Sequence, residues 1–206
     1  MICRVQGCCA GNRQHWGDRD MSEEQITRRL EVDLSELEAA FDDASWERSY
    51  YLDLETGETV MVTDETPQQL EQIYEEAPDG VADEEVDITS ILDQLTLPEW
   101  QKGALREANQ VEEGFGVRYI SVPRAETREA YHDMEEFITI VRNQRLQGRL
   151  WQAISGRRPF RRFKDVLTEN ATERERWFRF KDSLVRKRVL EWLEEKGIRP
   201  IEGPEE

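Results

Sequence analysis

The sequence predicts a mostly helical α+β fold: one domain in which a small three-stranded antiparallel sheet is covered by six or seven helices. Three observations carry that reading. Ser49–Thr63, SYYLDLETGETVMVT, holds two runs rich in aromatic and β-branched residues around a glycine turn, the pattern of a hairpin. Arg118–Val122, RYISV, stops at Pro123 and reads as a third strand, which the hairpin needs because two strands alone are marginal in water. From Glu126 onward apolar residues recur at helical spacing to the end of the chain. At 206 residues one domain is the default, with length enough for a proper core.

In chain order, Asp33 followed by Glu36 is a capping-box-like start, and Leu34, Leu37, Ala40 and Phe41 give the helix after it one apolar face, ending near Asp43–Ser45. In the hairpin, Gly57 supplies the positive φ that a turn over Glu55–Glu58 requires. Thr66-Pro67, with Gln69, reads as N-cap and first helical position, and Leu70, Ile73 and Tyr74 give that helix its apolar face. Ala77–Gly80 should end that helix, and Asp79–Asp87, with five acids in nine residues, reads as a solvated segment. A short helix through Ile88, Ile91, Leu92 and Leu95 comes next. Pro98-Glu99 starts another, with Trp100, Leu105 and Val111 as buried candidates and Gly114 and Gly116 closing it.

The second half is a series of helices. Tyr131, Met134, Phe137, Ile138 and Val141 form one stripe, and Leu146, Leu150, Trp151 and Ile154 another. Gly156 separates these from Phe160, Phe163 and Val166 on a short helix. Asn170 caps the last and longest helix, which Gly197 and Pro200 stop. On a wheel, Trp177, Phe178, Phe180, Leu184, Val185, Val189, Trp192 and Leu193 of that helix cover an arc of about 220°, so it should pack against two or more neighbours.

Residues 1–32 read as an extension, 33–200 as the domain (an acidic, sheet-bearing part 33–123 and a basic, helical part 124–200), and 201–206 as a tail. Cys3, Cys8 and Cys9 all precede Met21, whose MSEEQITRRL reads as an alternative beginning, so 1–20 look like an upstream addition. With His15 they lack the spacing of a zinc site, and no disulfide framework is expected in the body. No apolar run reaches the roughly 20 residues a membrane helix needs, and the first residues lack a signal-peptide core, so a cytoplasmic protein is expected.

The net charge of −17 conceals two halves of opposite sign. Residues 21–140 hold 32 acidic and 8 basic side chains; residues 141–200 hold 8 acidic and 17 basic. The cations concentrate in GRRPFRRFKD, from Gly156, and in the helix beginning near Trp177. Arg157, Arg158, Arg161, Arg162, Lys164, Arg176, Arg179 and Arg186 are therefore the candidate binding residues. Two readings of them stand side by side. In one, Phe160, Phe163, Trp177 and Phe180 turn inward while the arginines pair with the acidic half. In the other, the cations grip phosphates while the rings stack on bases. The acidic half would repel nucleic acid, which favours the first.

Other chemistry finds little support. No G-x-G-x-x-G, no phosphate-binding lysine loop and no G-x-S-x-G elbow occurs. Glu129 and His132 have the i, i+3 spacing of di-iron helices, but the second such pair is missing, and His132 stands among Asp133, Glu135 and Glu136. No cofactor and no metal is expected.

With GRRPFRRFKD, WFRFKD, LEWLEEKGI, the SYYLDLETGE hairpin and the YHDMEEFI helix in place, the chain resembles a bacterial uncharacterised protein family of the UPF type. The resemblance spans about Asp33 to Pro200 and omits residues 1–20. It implies the same fold and transfers no catalytic residue, since no reaction is attached to the family. The expected function is a non-enzymatic interaction or regulatory module with a protein partner. A nucleic-acid-associated protein is the alternative, and a carboxylate- or metal-dependent enzyme the weaker one.

Overall fold

A computed structural model describes residues 28–75 and 88–201. The elements in order are β1 (Arg28–Glu31), α1 (Leu34–Asp42), β2 (Arg48–Asp53), β3 (Thr59–Thr63), α2 (Glu65–Glu75), α3 (Ile88–Gln94), α4 (Glu99–Gly114), β4 (Tyr119–Ser121), α5 (Thr127–Thr139), α6 (Gln144–Ile154), α7 (Pro159–Thr168), α8 (Ala171–Glu195) and β5 (Ile198–Ile201). The chain is thus a mostly helical α+β protein with a three-stranded antiparallel sheet, of order β3-β2-β4. The third strand joins the first strand of the hairpin: Tyr51, Leu52 and Asp53 oppose Ser121, Ile120 and Tyr119.

Local signals place most of these elements. The Asp33 carboxylate accepts from the Ser35 and Glu36 N–H groups and caps α1. Asn143 caps α6 and Asn170 caps α8 in the same manner. Gly57 (φ +84°) and Gly197 (φ +68°) take the left-handed conformation at the hairpin turn and just past α8. α2 begins at Glu65, ahead of the expected Thr66 cap: the Thr66 hydroxyl turns back to that of Thr63 at 2.8 Å, tying the helix to the end of β3.

The buried residues form three clusters. One joins β1, α1, β2, β5 and the second half of α8 around Leu37, Leu52, Val189 and Leu193. A second joins α5, α6, α7 and the first half of α8 around Phe137, Leu150, Phe163 and Trp177. The third joins β3, α2, α3 and α4 around Leu70, Leu92 and Leu105. α8 belongs to two of the three and packs on α1, α5, α7 and β5, as the width of its apolar face demands. Phe137, Phe163, Trp177 and Phe180 meet at centroid distances of 4.8–6.3 Å, so the rings of the doubled FKD segment do turn inward.

Four expectations are overturned. Trp100 on α4 is 76% exposed; no described element covers it on the first turn of α4. Phe178 is 51% exposed and Trp151 38%, because α8 and α6 spend their buried arcs on neighbours of those residues instead. The chain is not helical to its end: β5 follows α8 and pairs in parallel with β1, Arg28 opposite Ile198 and Leu30 opposite Pro200. Pro200, which lacks an N–H, is tolerated because this strand has an open edge. Arg28–Glu31, placed in the extension by sequence, is the partner that makes β5 a strand. The readings of Ala77–Gly80, of Asp79–Asp87 and of residues 1–20 lie outside the described residues.

The buried Asp53 carboxylate ties the hairpin to β4. It accepts from Arg118 Nε and Nη2 at 3.0 and 2.7 Å, and from the N–H groups of Glu55 and Thr56. Burial alone pushes this carboxyl up; the guanidinium and the two turn N–H groups more than reverse it, and the group titrates below the ordinary carboxylate range. A depressed carboxyl stabilises the fold above the unfolded pKa of about 4 and loses that contribution as pH falls through the folded value. The difference in urea midpoint between the native chain and Asp53→Asn should therefore be full at pH 6 and shrink below about pH 4. At the opposite sign, Gly103→Ala should stabilise by about 0.5–1 kcal/mol, since Gly103 lies inside α4 and a Cβ there meets nothing within 4 Å. Thermal unfolding of the variant checks it.

Candidate functional site

The structure divides the eight candidate cations. Arg186 on α8 pairs with Glu38 of α1 at 3.0 Å, and its neighbour Lys181 with Asp42 at 2.5 Å. Arg176 pairs with Glu173 one turn back and also donates to the Ile140 carbonyl. These side chains hold α8 to α1 and α5, the structural role that opposite charge in the two halves foretold. Arg157, Arg158, Arg161, Arg162, Lys164 and Arg179 make no ion pair among the described residues and are exposed. Among the described residues the FRRFKD arginines therefore do not pair with the acidic half, contrary to expectation. Their helix packs on α6 and α8, with Phe163 and Leu167 buried in the cluster those helices share.

Five of these free cations form one surface. Within α7, Arg161 and Lys164 lie at i, i+3 and are helix-surface neighbours, with Arg162 adjoining Arg161; Arg157 and Arg158 precede the helix and bring two more cations to its start. Arg158 has φ +57° and ψ +55°, the left-handed region, and it is the single described non-glycine residue with a positive φ. That conformation reverses the chain between α6 and α7. The Arg162 guanidinium lies across Gly156: a Cβ there would fall 2.0 Å from Nη1. Beside this surface Arg149 and Glu169 make a bidentate pair at 2.7 Å that clamps α6 to α7. Sequence reasoning missed Arg145, exposed on α6 one turn from Arg149 and without an ion pair. Its place in a helix rich in arginine was the available signal. Arg179, on α8, is not part of the α7 row.

A cleft of about 300 Å³ lies between α1, the β4–α5 connection and α8. Phe41 and Trp192 meet edge to face at 5.6 Å on one wall. Asp133 and Arg188 form a bidentate ion pair at its base, with Nη1 at 3.0 Å from Oδ2. The hydrogen bond to Asp133 raises the Arg188 pKa, so the guanidinium stays charged. Asp53 and Asp133, the buried carboxylates among the described residues, are thus both held by arginines. His132 is 65% exposed on its side chain and faces Glu135 and Glu136 at 3.6 and 3.4 Å, not Glu129. Among the described residues no three His, Cys, Asp or Glu side chains converge to hold a metal ion, and no helix is long and apolar enough to cross a membrane.

Comparisons with known proteins take in most of the chain. The UPF0158 protein PA5073 of Pseudomonas aeruginosa is 22% identical over 174 residues, which cover 84% of this chain and 88% of that protein. No solved structure matches. An uncharacterised protein family, UPF0158, matches residues 104–204, from within α4 to beyond β5, so the similarity takes in the whole cationic surface of α7 and the helix that supports it.

Proposed function

We propose that the chain is a non-enzymatic interaction module of the cytoplasm that docks onto an acidic protein surface through the cationic face of α7. One observation carries the reading. Arg157, Arg158, Arg161, Arg162 and Lys164 lie close in sequence, exposed and without an ion pair among the described residues, in a chain whose net charge is −17. Within the fold that face is uphill. Like charges at i, i+4 cost about 0.2–0.5 kcal/mol per pair, and a left-handed arginine costs about 1–2 kcal/mol. Arg176, Lys181, Arg186, Lys187 and Arg188 of α8 are matched to carboxylates, and surplus carboxylates abound. A cationic row left unmatched and strained serves something outside the chain. The reading against catalysis rests on Asp53 and Asp133, whose carboxylates are engaged by arginines and not held as free acids or bases.

The test uses a labelled twelve-residue Asp/Glu-rich peptide and a labelled twenty-nucleotide single-stranded DNA, titrated by fluorescence anisotropy. The peptide should bind with an affinity that falls as salt rises. Arg161→Glu with Arg162→Glu should weaken it at least tenfold, while Arg128→Glu with Arg199→Glu, the same charge change elsewhere, should not. Equal losses, or no peptide binding, overturn the proposal. Binding of the DNA alone, lost with Arg161 and Arg162, would put the nucleic-acid reading in its place. Arg158→Gly should weaken the peptide while leaving stability unchanged or raised by up to about 1 kcal/mol, because relief of the left-handed strain outweighs the added chain entropy.

A further inference from the structure

A second surface, of opposite sign, lies at the other end of the molecule. α2 and α4 run beside each other over the hairpin and leave between them an open groove of about 1090 Å³. Its floor is apolar: Val62, Leu70, Ala108 and Val111 are buried beneath it. Its rim is acidic, with Glu71 and Glu75 on α2 and Glu112 and Glu113 on α4, and no lysine or arginine among the described residues lines it. The Tyr74 hydroxyl donates to Asn109 Oδ1 at 2.6 Å and Asn109 Nδ2 donates to Glu113 at 2.8 Å, which joins the two walls.

At the mouth stands Phe115, on an ordered loop that also carries Val117. Phe115 is 60% exposed and Val117 82% exposed. Phe115 meets Tyr51 edge to face at 6.1 Å, and the loop is closed by hydrogen bonds from Val117 and Arg118 N–H to the Gly114 carbonyl and from Gly116 N–H to that of Tyr119. A loop held so firmly, with its apolar side chains in water, is presented and not merely loose.

We infer that this groove docks an amphipathic helix from a partner, apolar on one face and rich in lysine or arginine on its flanks. The volume is at the upper limit of the roughly 300–1,000 Å³ of small-molecule pockets, the walls are two helices, and the floor offers a strip for apolar anchors at i, i+3, i+4 and i+7. The flanking charge of the occupant follows from the rim, and the overall −17 of the chain attracts the same sign. The chain's own residues 76–87, which follow α2, carry six acids and no base, so their charge does not complement this rim.

The experiment titrates the full chain with a labelled fifteen-residue helix-forming peptide of leucine and lysine, leucines at helical spacing, and with its glutamate counterpart, at 150 mM salt. The lysine peptide should bind in the micromolar range and the glutamate peptide not at all. Glu71→Lys with Glu112→Lys, both exposed and without an ion pair among the described residues, should weaken binding at least tenfold, and Phe115→Ala severalfold. Glu135→Lys with Glu136→Lys, an equal change of net charge on α5, should change it less than twofold. Equal losses from the two charge pairs would assign the binding to the field of the whole chain and overturn the inference, as would absence of binding. Self-association lost with Glu71→Lys and Glu112→Lys, in the absence of peptide, would name a second copy as the occupant and overturn the choice of partner.

Discussion

Arg188→Ala should destabilise the protein by about 3–5 kcal/mol, the cost of leaving a buried carboxylate without its partner. Asp133 lies on α5 and Arg188 on α8, 55 residues apart, and the pair sits where the core around Phe137 meets the core around Val189. With the guanidinium gone, Asp133 keeps its burial and loses both charged hydrogen bonds. Asp133→Asn should cost less than Arg188→Ala, since a neutral amide is easier to bury. The double change Asp133→Leu with Arg188→Met should recover most of the loss or exceed the native stability, because apolar groups of similar volume need no compensation. Urea denaturation of the four proteins gives the coupling directly. A loss under about 1 kcal/mol for Arg188→Ala would mean that water reaches Asp133 and that the pair is a surface one.

Gly57→Ala should rank second, at about 2–5 kcal/mol. Two costs combine there. Its φ of +84° is left-handed, which costs an alanine about 1–2 kcal/mol. In addition, a Cβ would fall 1.7 Å from the Glu31 carbonyl oxygen, so the hairpin turn and β1 must part, an overpacking of about 1–3 kcal/mol. Gly116→Ala separates the two. Gly116 has φ +80° with nothing within 4 Å of the Cβ position, so it carries the first cost alone. Equal midpoints for the two variants in thermal unfolding would show that the turn does not press on β1.

The hairpin, the caps at Asp33 and Asn170 and the inward turn of Phe163 and Trp177 were legible because each signal lies within a few residues. Turn chemistry, capping and helical period are local, and tertiary packing agreed with them. Trp100, Trp151 and Phe178 were misjudged for the converse reason: a large ring at an apolar position is covered only if another element lies over it, and the sequence does not say which does. The candidate site was legible as a list of cations and not as a surface. Arg186 and Arg161 read alike, yet one meets a carboxylate 148 residues away and the other meets none. The groove between α2 and α4 had no signature, since its floor is ordinary core and its rim ordinary surface glutamate.

By itself, then, the sequence determined the class of fold, the extent of most elements and the opposition of charge between the two halves, all of which arise from neighbours along the chain. Tertiary structure alone decided the pairing of β4 with β2 and of β5 with β1, the burial of Asp133 against Arg188, and which arginines remain free. Each of those depends on distances between residues tens of positions apart, and only packing sets them.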